Sequence, residues 1–530
     1  MNIPLTPIRC LYRSVDLYGN KVGVVSGNGR YTYAQFGERC ERLAGGLRAE
    51  GIRAGDRVAF LSFNNNQLLE GYYGVPLIRA IVMPLNVRLT PPELIEILNH
   101  AGTRLLVFEN DFAPLIPKFR EACPSIERFV AINGPIAEAD YTYEELLARD
   151  RLERPDLFSF DENEIAELFY TSGSTGTPKG VMLSHRTIYM HALGLTGSVT
   201  QNDTFVELHT IPLFHANGWG RPQTATMNGA KQVMVRRFDP AQVLRLIQDE
   251  QANGMSVVPV MANALLNCPE LGCFDTSSMK EIHIGGAAAS PELIERMEHA
   301  FHCTVIGGYG LTETCPVATS ARTKGTVRYT SEEDRTRHMA MAGWPILGNE
   351  IRVVDGHMRD VPRNMETVGE VVIRGDNVMD GYFREPEATK AAITDGWLHT
   401  GDMAVWDEEN YIHIVDRKKD IIISGGENIS SIEVEKAIFA HPAVLECAVV
   451  AAPDPAWGEI PAALVVLKPN HELSTGELLG FLQTRLAKFK LPRVVQFIEG
   501  PLPKTGTGKI LKREIRETFW ARKERRVQGI

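Results

Sequence analysis

The chain has 530 residues, 44% of them hydrophobic, and a formal net charge of -10. At about 100–200 residues per domain this length suggests three or more structural units, and the hydrophobic share supports packed cores and excludes global disorder. The acidic balance excludes a nucleic-acid binder that works by bulk positive charge, yet it leaves room for a phosphate ligand, which needs only a few local donors.

The eight cysteines are Cys10, Cys40, Cys123, Cys268, Cys273, Cys303, Cys315 and Cys447. None forms a CxxC pair, and Cys268 and Cys273 lack a second pair, so a zinc site is not expected. They read as reduced, mostly buried thiols. The opening MNIPLTPIRCLYRS has no apolar core of a signal peptide. No apolar run approaches the roughly 20 residues that span a bilayer. A soluble cytoplasmic protein is the expectation.

Strand-like and helix-like segments alternate through the early chain. Thr90-Pro-Pro-Glu93 predicts a helix start, Leu94, Ile95, Ile97 and Leu98 its apolar face, and Gly102 its end. Arg104 to Phe108 reads as a short buried strand. Val243, Leu244, Leu246 and Ile247 repeat the helical pattern, and Val257 to Val260 reads as another strand. Such alternation implies an α/β architecture.

The last stretch differs. Asp416-Arg-Lys-Lys-Asp420 is a charged linker candidate, followed by the apolar Ile421 to Ile423. Ser430-x-x-Glu433 and Ser474-x-x-Glu477 predict capping boxes, the second opening a helix to about Lys488. Leu445 to Ala452, Ala462 to Leu467 and Val494 to Ile498 read as strands. Together they predict a compact α+β unit of about 110 residues, with a mixed-charge helical tail after Lys512.

The densest signal is Thr171-Ser-Gly-Ser-Thr-Gly-Thr-Pro-Lys-Gly180, directly after the apolar run that ends at Tyr170. Thr171, Ser172, Ser174 and Thr175 offer hydroxyls, Gly173 and Gly176 let backbone N–H groups approach an anion, and Lys179 adds charge. That set suits a triphosphate. It is not a Walker loop, because Pro178 precedes the lysine and Gly180 follows it. Gly506-Thr-Gly-Lys509 fails the same pattern.

TSGSTGTPKG resembles the signature of the adenylate-forming superfamily: acyl-CoA synthetases, luciferases and adenylation domains of peptide synthetases. Further motifs appear in family order across nearly the whole chain. The resemblance implies a large multi-subdomain N-terminal α/β domain over 1–415, a hinge at 416–420 around Lys419, and a small mobile α+β C-terminal domain over 421–530.

The resemblance also implies residue roles. In Ile211-Pro-Leu-Phe-His-Ala-Asn-Gly-Trp219, it gives His215 and Gly218 to an acyl pocket, and Trp219 is suited to wall it. Ile284-Gly-Gly-Ala-Ala-Ala-Ser290 resembles the adenine shelf, with Gly286, Ala287 and Ala288 small enough for a flat base. Gly307-Gly-Tyr-Gly-Leu-Thr-Glu-Thr314 supplies Gly307 to the acyl pocket and Gly308, Tyr309, Gly310 and Thr312 to the nucleotide. Glu313, with Thr171, would hold Mg²⁺, an ion that takes hard oxygen ligands. In Gly396-Trp-Leu-His-Thr-Gly-Asp402, Asp402 would accept from both ribose hydroxyls, and Arg417 would contact ribose and phosphate. Ser424, Gly425, Gly426 and Trp457 would border coenzyme A. Lys509, in Pro503-Lys-Thr-Gly-Thr-Gly-Lys509, would bridge the attacking carboxylate and the α-phosphate.

The implied activity is ATP-dependent formation of an acyl-adenylate and pyrophosphate, followed by transfer of the acyl group to CoA. The C-terminal domain would present Lys509 for the first step and then rotate about Lys419 for the second. The short stretch after Lys509 favours free CoA over a carrier protein. FHANGW and the opening segment look most like short- to medium-chain fatty acyl-CoA ligases. An aryl-CoA ligase, an acyl-AMP ligase loading a carrier protein, and a nucleotide-binding protein without catalysis remain open. The expected partners are the acid, ATP and CoA, with no nucleic acid and no membrane span, and a homodimer is admitted.

Overall fold

The computed structural model describes residues 2–171, 178–198, 201–424, 427–455, 457–504 and 510–527. The chain divides into two units. The first comprises Met1–Ile351, Val372–His399 and Glu408–Ile412, and the second Arg352–Val371, Thr400–Asp407 and His413–Ile530.

The first unit is α/β and holds two large sheets. One runs in the order Trp344–Pro345, Val317–Ser320, Thr304–Gly310, Glu281–Ile284, Gly254–Val257, Val206–His209, Lys231–Met234, Val22–Ser26, Gly29–Thr32. Its central pairs are parallel, for example Ser256 with His283 and Leu208 with Val233. The other runs Gly381–Tyr382, Lys179–Ser184, Ile165–Thr171, Ile81–Pro84, Arg57–Leu61, Leu105–Phe108, Arg128–Ala131, Tyr141–Thr142. Its apolar strands, such as Leu105–Phe108, are buried along their length, as expected where helices cover both faces.

Local rules account for most element ends. The helix Pro91–Ala101 starts where Thr90 N donates to Glu93 at 2.7 Å and ends on left-handed Gly102, φ 63°. The strand expected at Val257 to Val260 lies earlier, over Gly254–Val257. Pro259 fits the first turn of a helix, and Pro259–Leu266 is helical.

The second unit is α+β. Its sheet runs Glu427–Ile429, Ile422–Ser424, Gly458–Leu467, Val444–Asp454, with Val494–Phe497 parallel to Gly458–Leu467. Ser474 and Glu477 form a full capping box, but that helix, Thr475–Gln483, stops short of Lys488. Ser430 is only half a box. Its hydroxyl accepts from Glu433 N at 3.1 Å, while the Glu433 carboxylate pairs with Lys490 at 2.7 Å. The helix Lys512–Val527 matches the predicted tail. Among the described residues no helix is long and apolar enough to cross a membrane.

Candidate active site

The strand Ile165–Thr171 returns as Lys179–Ser184 in an antiparallel hairpin, with Thr171 paired to Lys179 and Tyr170 to Gly180. The predicted phosphate loop is therefore the connection of this hairpin. Ser172, Gly173, Ser174, Thr175 and Gly176 lie outside the described residues, as do Gly425, Gly426 and Lys509.

Thr312–Thr314 form a short helical turn after the strand Thr304–Gly310. Glu313 is held twice from Gly381–Tyr382 and the residues before it. Met379 N donates to the Glu313 carbonyl at 2.8 Å, and the Tyr382 hydroxyl donates to Oε1 at 2.9 Å. The Tyr382 ring also lies 4.8 Å from Lys179 Nζ, within cation–π range. One phenol thus touches both the predicted metal ligand and the phosphate-loop lysine. Burial, with Glu313 beside it, pushes the Tyr382 hydroxyl far up, so it remains a neutral donor. Sequence reading missed Tyr382. Its only signal is the Gly381-Tyr382 pair after an apolar strand, and its partner is 69 residues away.

Among the described residues no three His, Cys, Asp or Glu side chains gather to hold a metal. Among those residues Glu313 makes no ion pair, and its carboxylate is held by the neutral Tyr382 hydroxyl. A single carboxylate with the Thr171 hydroxyl fits an ion brought in on substrate phosphates, not one caged by protein.

Gly286, Ala287 and Ala288 are exposed, as a shelf for a flat ring requires. The Trp219 indole lies against this segment: a Cβ at Gly285 would stand 3.2 Å from its ring and one at Gly286 3.6 Å. Structure thus joins two motifs that the sequence kept separate. At Gly307 a Cβ would meet the Met339 and Met341 carbonyls at 2.6 and 2.4 Å, so close backbone packing requires glycine there. Gly308 and Tyr309 pair with Ser320 and Thr319, and Gly310 with Val317, at the sheet's end.

The segment from His215 to Trp219 has an unusual backbone. Ala216, Asn217, Gly218, Trp219 and Gly220 all have positive φ, 45°, 54°, 51°, 60° and 67°. Three of these are not glycine, and each such residue costs about 1–2 kcal/mol in the left-handed region. The segment is clamped to offset that cost. Asn64 Nδ2 donates to the His209 and Ile211 carbonyls at 3.0 and 2.9 Å, and its Oδ1 accepts from Leu213 N at 2.7 Å. Tyr72 donates to Leu213 O at 2.7 Å. The buried His191 ring fills the space a Cβ at Gly220 would take. His215 and Trp219 are both half-buried.

Directly after this turn Arg221 is sealed in an ion network. It is bidentate to Glu207 at 3.0 and 2.8 Å and 3.7 Å from Glu281, which pairs with Arg322 at 2.9 Å.

In the second unit Asp402 is buried, and Arg417 Nε lies 2.9 Å from its Oδ1. Lys418 N donates to the Gly401 carbonyl at 2.9 Å, which ties the two motifs through backbone as well. Asp416 is not a solvated linker residue. Its carboxylate accepts from Ser431 N and Oγ at 2.5 and 2.6 Å. Lys419 is exposed, and its carbonyl accepts from Arg516 at 3.2 Å. Ser424 pairs with Gly458, which brings Trp457 to the same sheet end, where Arg493 lies 4.5 Å from its ring. Lys504 and Ile510 form an antiparallel bridge.

Residues 11–383 match the model of the AMP-binding enzyme, and residues 433–509 that of the AMP-binding enzyme C-terminal domain. The chain is 40% identical over 496 residues to the long-chain-fatty-acid–CoA ligase of Thermus thermophilus, across 92% of this chain and 90% of that one. It is 37% identical to the probable acyl-activating enzyme 5, peroxisomal, of Arabidopsis thaliana, across 97% and 96%. The crystal structure of the anthranilate CoA ligase AuaEII with anthranoyl-AMP superposes with a TM-score of 0.87 at 25% identity, across 98% of each chain. With a large N-terminal and a small C-terminal domain each matched by a family model, the chain belongs to the AMP-binding enzyme family of adenylate-forming enzymes.

Proposed function

We propose that the protein is an AMP-forming carboxylate–CoA ligase acting on a short- to medium-chain fatty acid. The observation that carries the nucleotide chemistry is Tyr382, which links Glu313 to Lys179 within one hairpin-and-turn cluster. Relatives named as CoA ligases support the acceptor. They act on an aliphatic and an aromatic acid, so an aryl-CoA ligase is the second reading.

In this reading Lys179 and the phosphate loop take the β- and γ-phosphates, and Asp402 with Arg417 takes the ribose. Tyr309 and the Gly286–Ala288 shelf take the adenine, Gly308 and Gly310 give backbone room beside it, and Thr312 takes the α-phosphate. Glu313 and Thr171 would hold Mg²⁺, which neutralises phosphate charge when bound. An oxygen of the acid attacks the α-phosphorus, and the bond to the bridging oxygen breaks, releasing pyrophosphate. Lys509 bridges the two anions as they approach. The CoA thiolate then attacks the acyl carbon, its path bordered by Ser424, Gly425, Gly426 and Trp457, and AMP leaves. His215, Gly218, Trp219 and Gly307 line the acid's pocket. The domain limits at 415 and 421, rotation about Lys419 and a cytoplasmic location belong to the same proposal.

Lys509→Ala tests the division of labour. Acid-dependent pyrophosphate release should fall about a hundredfold or more, while supplied acyl-AMP and CoA should still give thioester. Equal loss of both steps would contradict it.

A further inference from the structure

Glu167 stands within the strand that leads into the phosphate loop, and it is fully buried. It interrupts an apolar run, Ala166, Leu168, Phe169 and Tyr170. Its Oε1 accepts from Gln223 Nε2 at 2.9 Å, and the same nitrogen donates to Asn217 Oδ1 at 2.9 Å. Asn217 sits inside the left-handed turn between His215 and Trp219, with φ 54°. Among the described residues Glu167 Oε2 and Gln223 Oε1 are buried without partners, and the Asn217 amide faces the buried Cys315 thiol.

Among the described residues Glu167 makes no ion pair. The titratable groups that face it are Tyr72 and Cys315, both buried and neither cationic. A sealed carboxylate needs a cation to remain charged, whereas a neutral carboxyl needs only amide partners. Burial pushes the Glu167 carboxyl well above the usual range, in keeping with a neutral acid. Its carbonyl oxygen is then an acceptor that turns the Gln223 nitrogen toward itself and toward Asn217. A non-glycine residue stays left-handed only where its surroundings over-determine it, and this hydrogen-bond chain is one such determinant.

We propose that Glu167 is a positioning residue for the acid pocket: through Gln223 it holds Asn217, and Asn217 holds the turn that presents His215 and Trp219. This rests on the assignment of His215 and Trp219 to that pocket. It makes selectivity for the acid depend on a residue of the phosphate-loop strand that touches neither substrate.

The test measures acid-dependent pyrophosphate release over acids of increasing length, with KM for acid and for ATP determined separately. Glu167→Ala and Asn217→Ala should each raise the acid KM about tenfold and flatten the length preference, with the ATP KM within about twofold. Glu167→Gln keeps the acceptor and should stay within about twofold of the parent in both constants. The double alanine variant should be no worse than the worse single one. An unchanged acid KM in Glu167→Ala, an equal rise in both KM values, or a Glu167→Gln variant as impaired as alanine would overturn the proposal. If Glu167→Ala does not fold, Asn217→Ala carries the test, and an unchanged acid KM there overturns it. Trp219→Ala separates the two levels. If it leaves the length preference untouched, the pocket assignment fails. If it shifts the preference while Glu167 and Asn217 variants do not, only the positioning role fails.

Discussion

Glu313 and Asp402 are both carboxylates found through sequence motifs, and their partners differ in kind. Asp402 is ion-paired with Arg417 at 2.9 Å, while Glu313 is held by the neutral Tyr382 phenol at the same distance. A carboxylate that must accept hydrogen bonds from a neutral diol can keep a protein cation beside it. One that must take up a cation with its substrate would first have to break such a pair. Each partner suits the role proposed for its carboxylate, a guanidinium beside the proposed ribose ligand and a phenol beside the proposed metal ligand.

Substitutions test this contrast. Glu313→Gln should have the largest effect, lowering acid-dependent pyrophosphate release about 10²–10³-fold, with saturation by added Mg²⁺ shifted upward. Asp402→Asn should weaken ATP binding about 10- to 100-fold by calorimetry, the range for hydrogen bonds to a charged group, with the Mg²⁺ requirement unmoved. If both variants move the same constant, the contrast is wrong. Tyr382→Phe removes one hydrogen bond from a neutral phenol to a carboxylate and should cost about tenfold in release, again with a higher Mg²⁺ requirement. Trp219→Ala should have the smallest effect on ATP, less than about threefold, while shifting the preferred acid length, because one wall of an apolar pocket discriminates by only a few kcal/mol.

A separate expectation concerns stability. Arg221→Ala would leave Glu207 buried without its cation, and thermal or denaturant unfolding should show a loss of about 3–5 kcal/mol.

Elements governed by neighbours in sequence were legible. Thr90, Pro91 and Gly102 bound their helix because capping acts over three or four residues. Strands buried on both faces showed as apolar runs. Elements decided by distant partners were not legible. Glu433 spends its carboxylate on Lys490, 57 residues away, so only half of its box forms. Pro259 starts a helix inside a run that reads as strand. Glu313, Asp402 and Arg417 were singled out by motif, but Tyr382 and Glu167 were not assigned. Their meaning lies in cross-chain contacts, although a lone glutamate in an apolar strand is a visible signal. The left-handed turn at Ala216 to Gly220 had Gly218 and Gly220 as its clues, while the groups packed against it and against the residues before it, His191, Asn64 and Tyr72, are distant in sequence.

Adenylation of a carboxylic acid is the reaction on which all these residue roles depend. The most direct measurement follows the products of ATP with and without a fatty acid of increasing length, in the presence of Mg²⁺ and CoA. Pyrophosphate and AMP should form in equal amounts, only when acid is present, with acyl-CoA matching them. Release of ADP and phosphate, or ATP cleavage that does not depend on acid, would contradict adenylation.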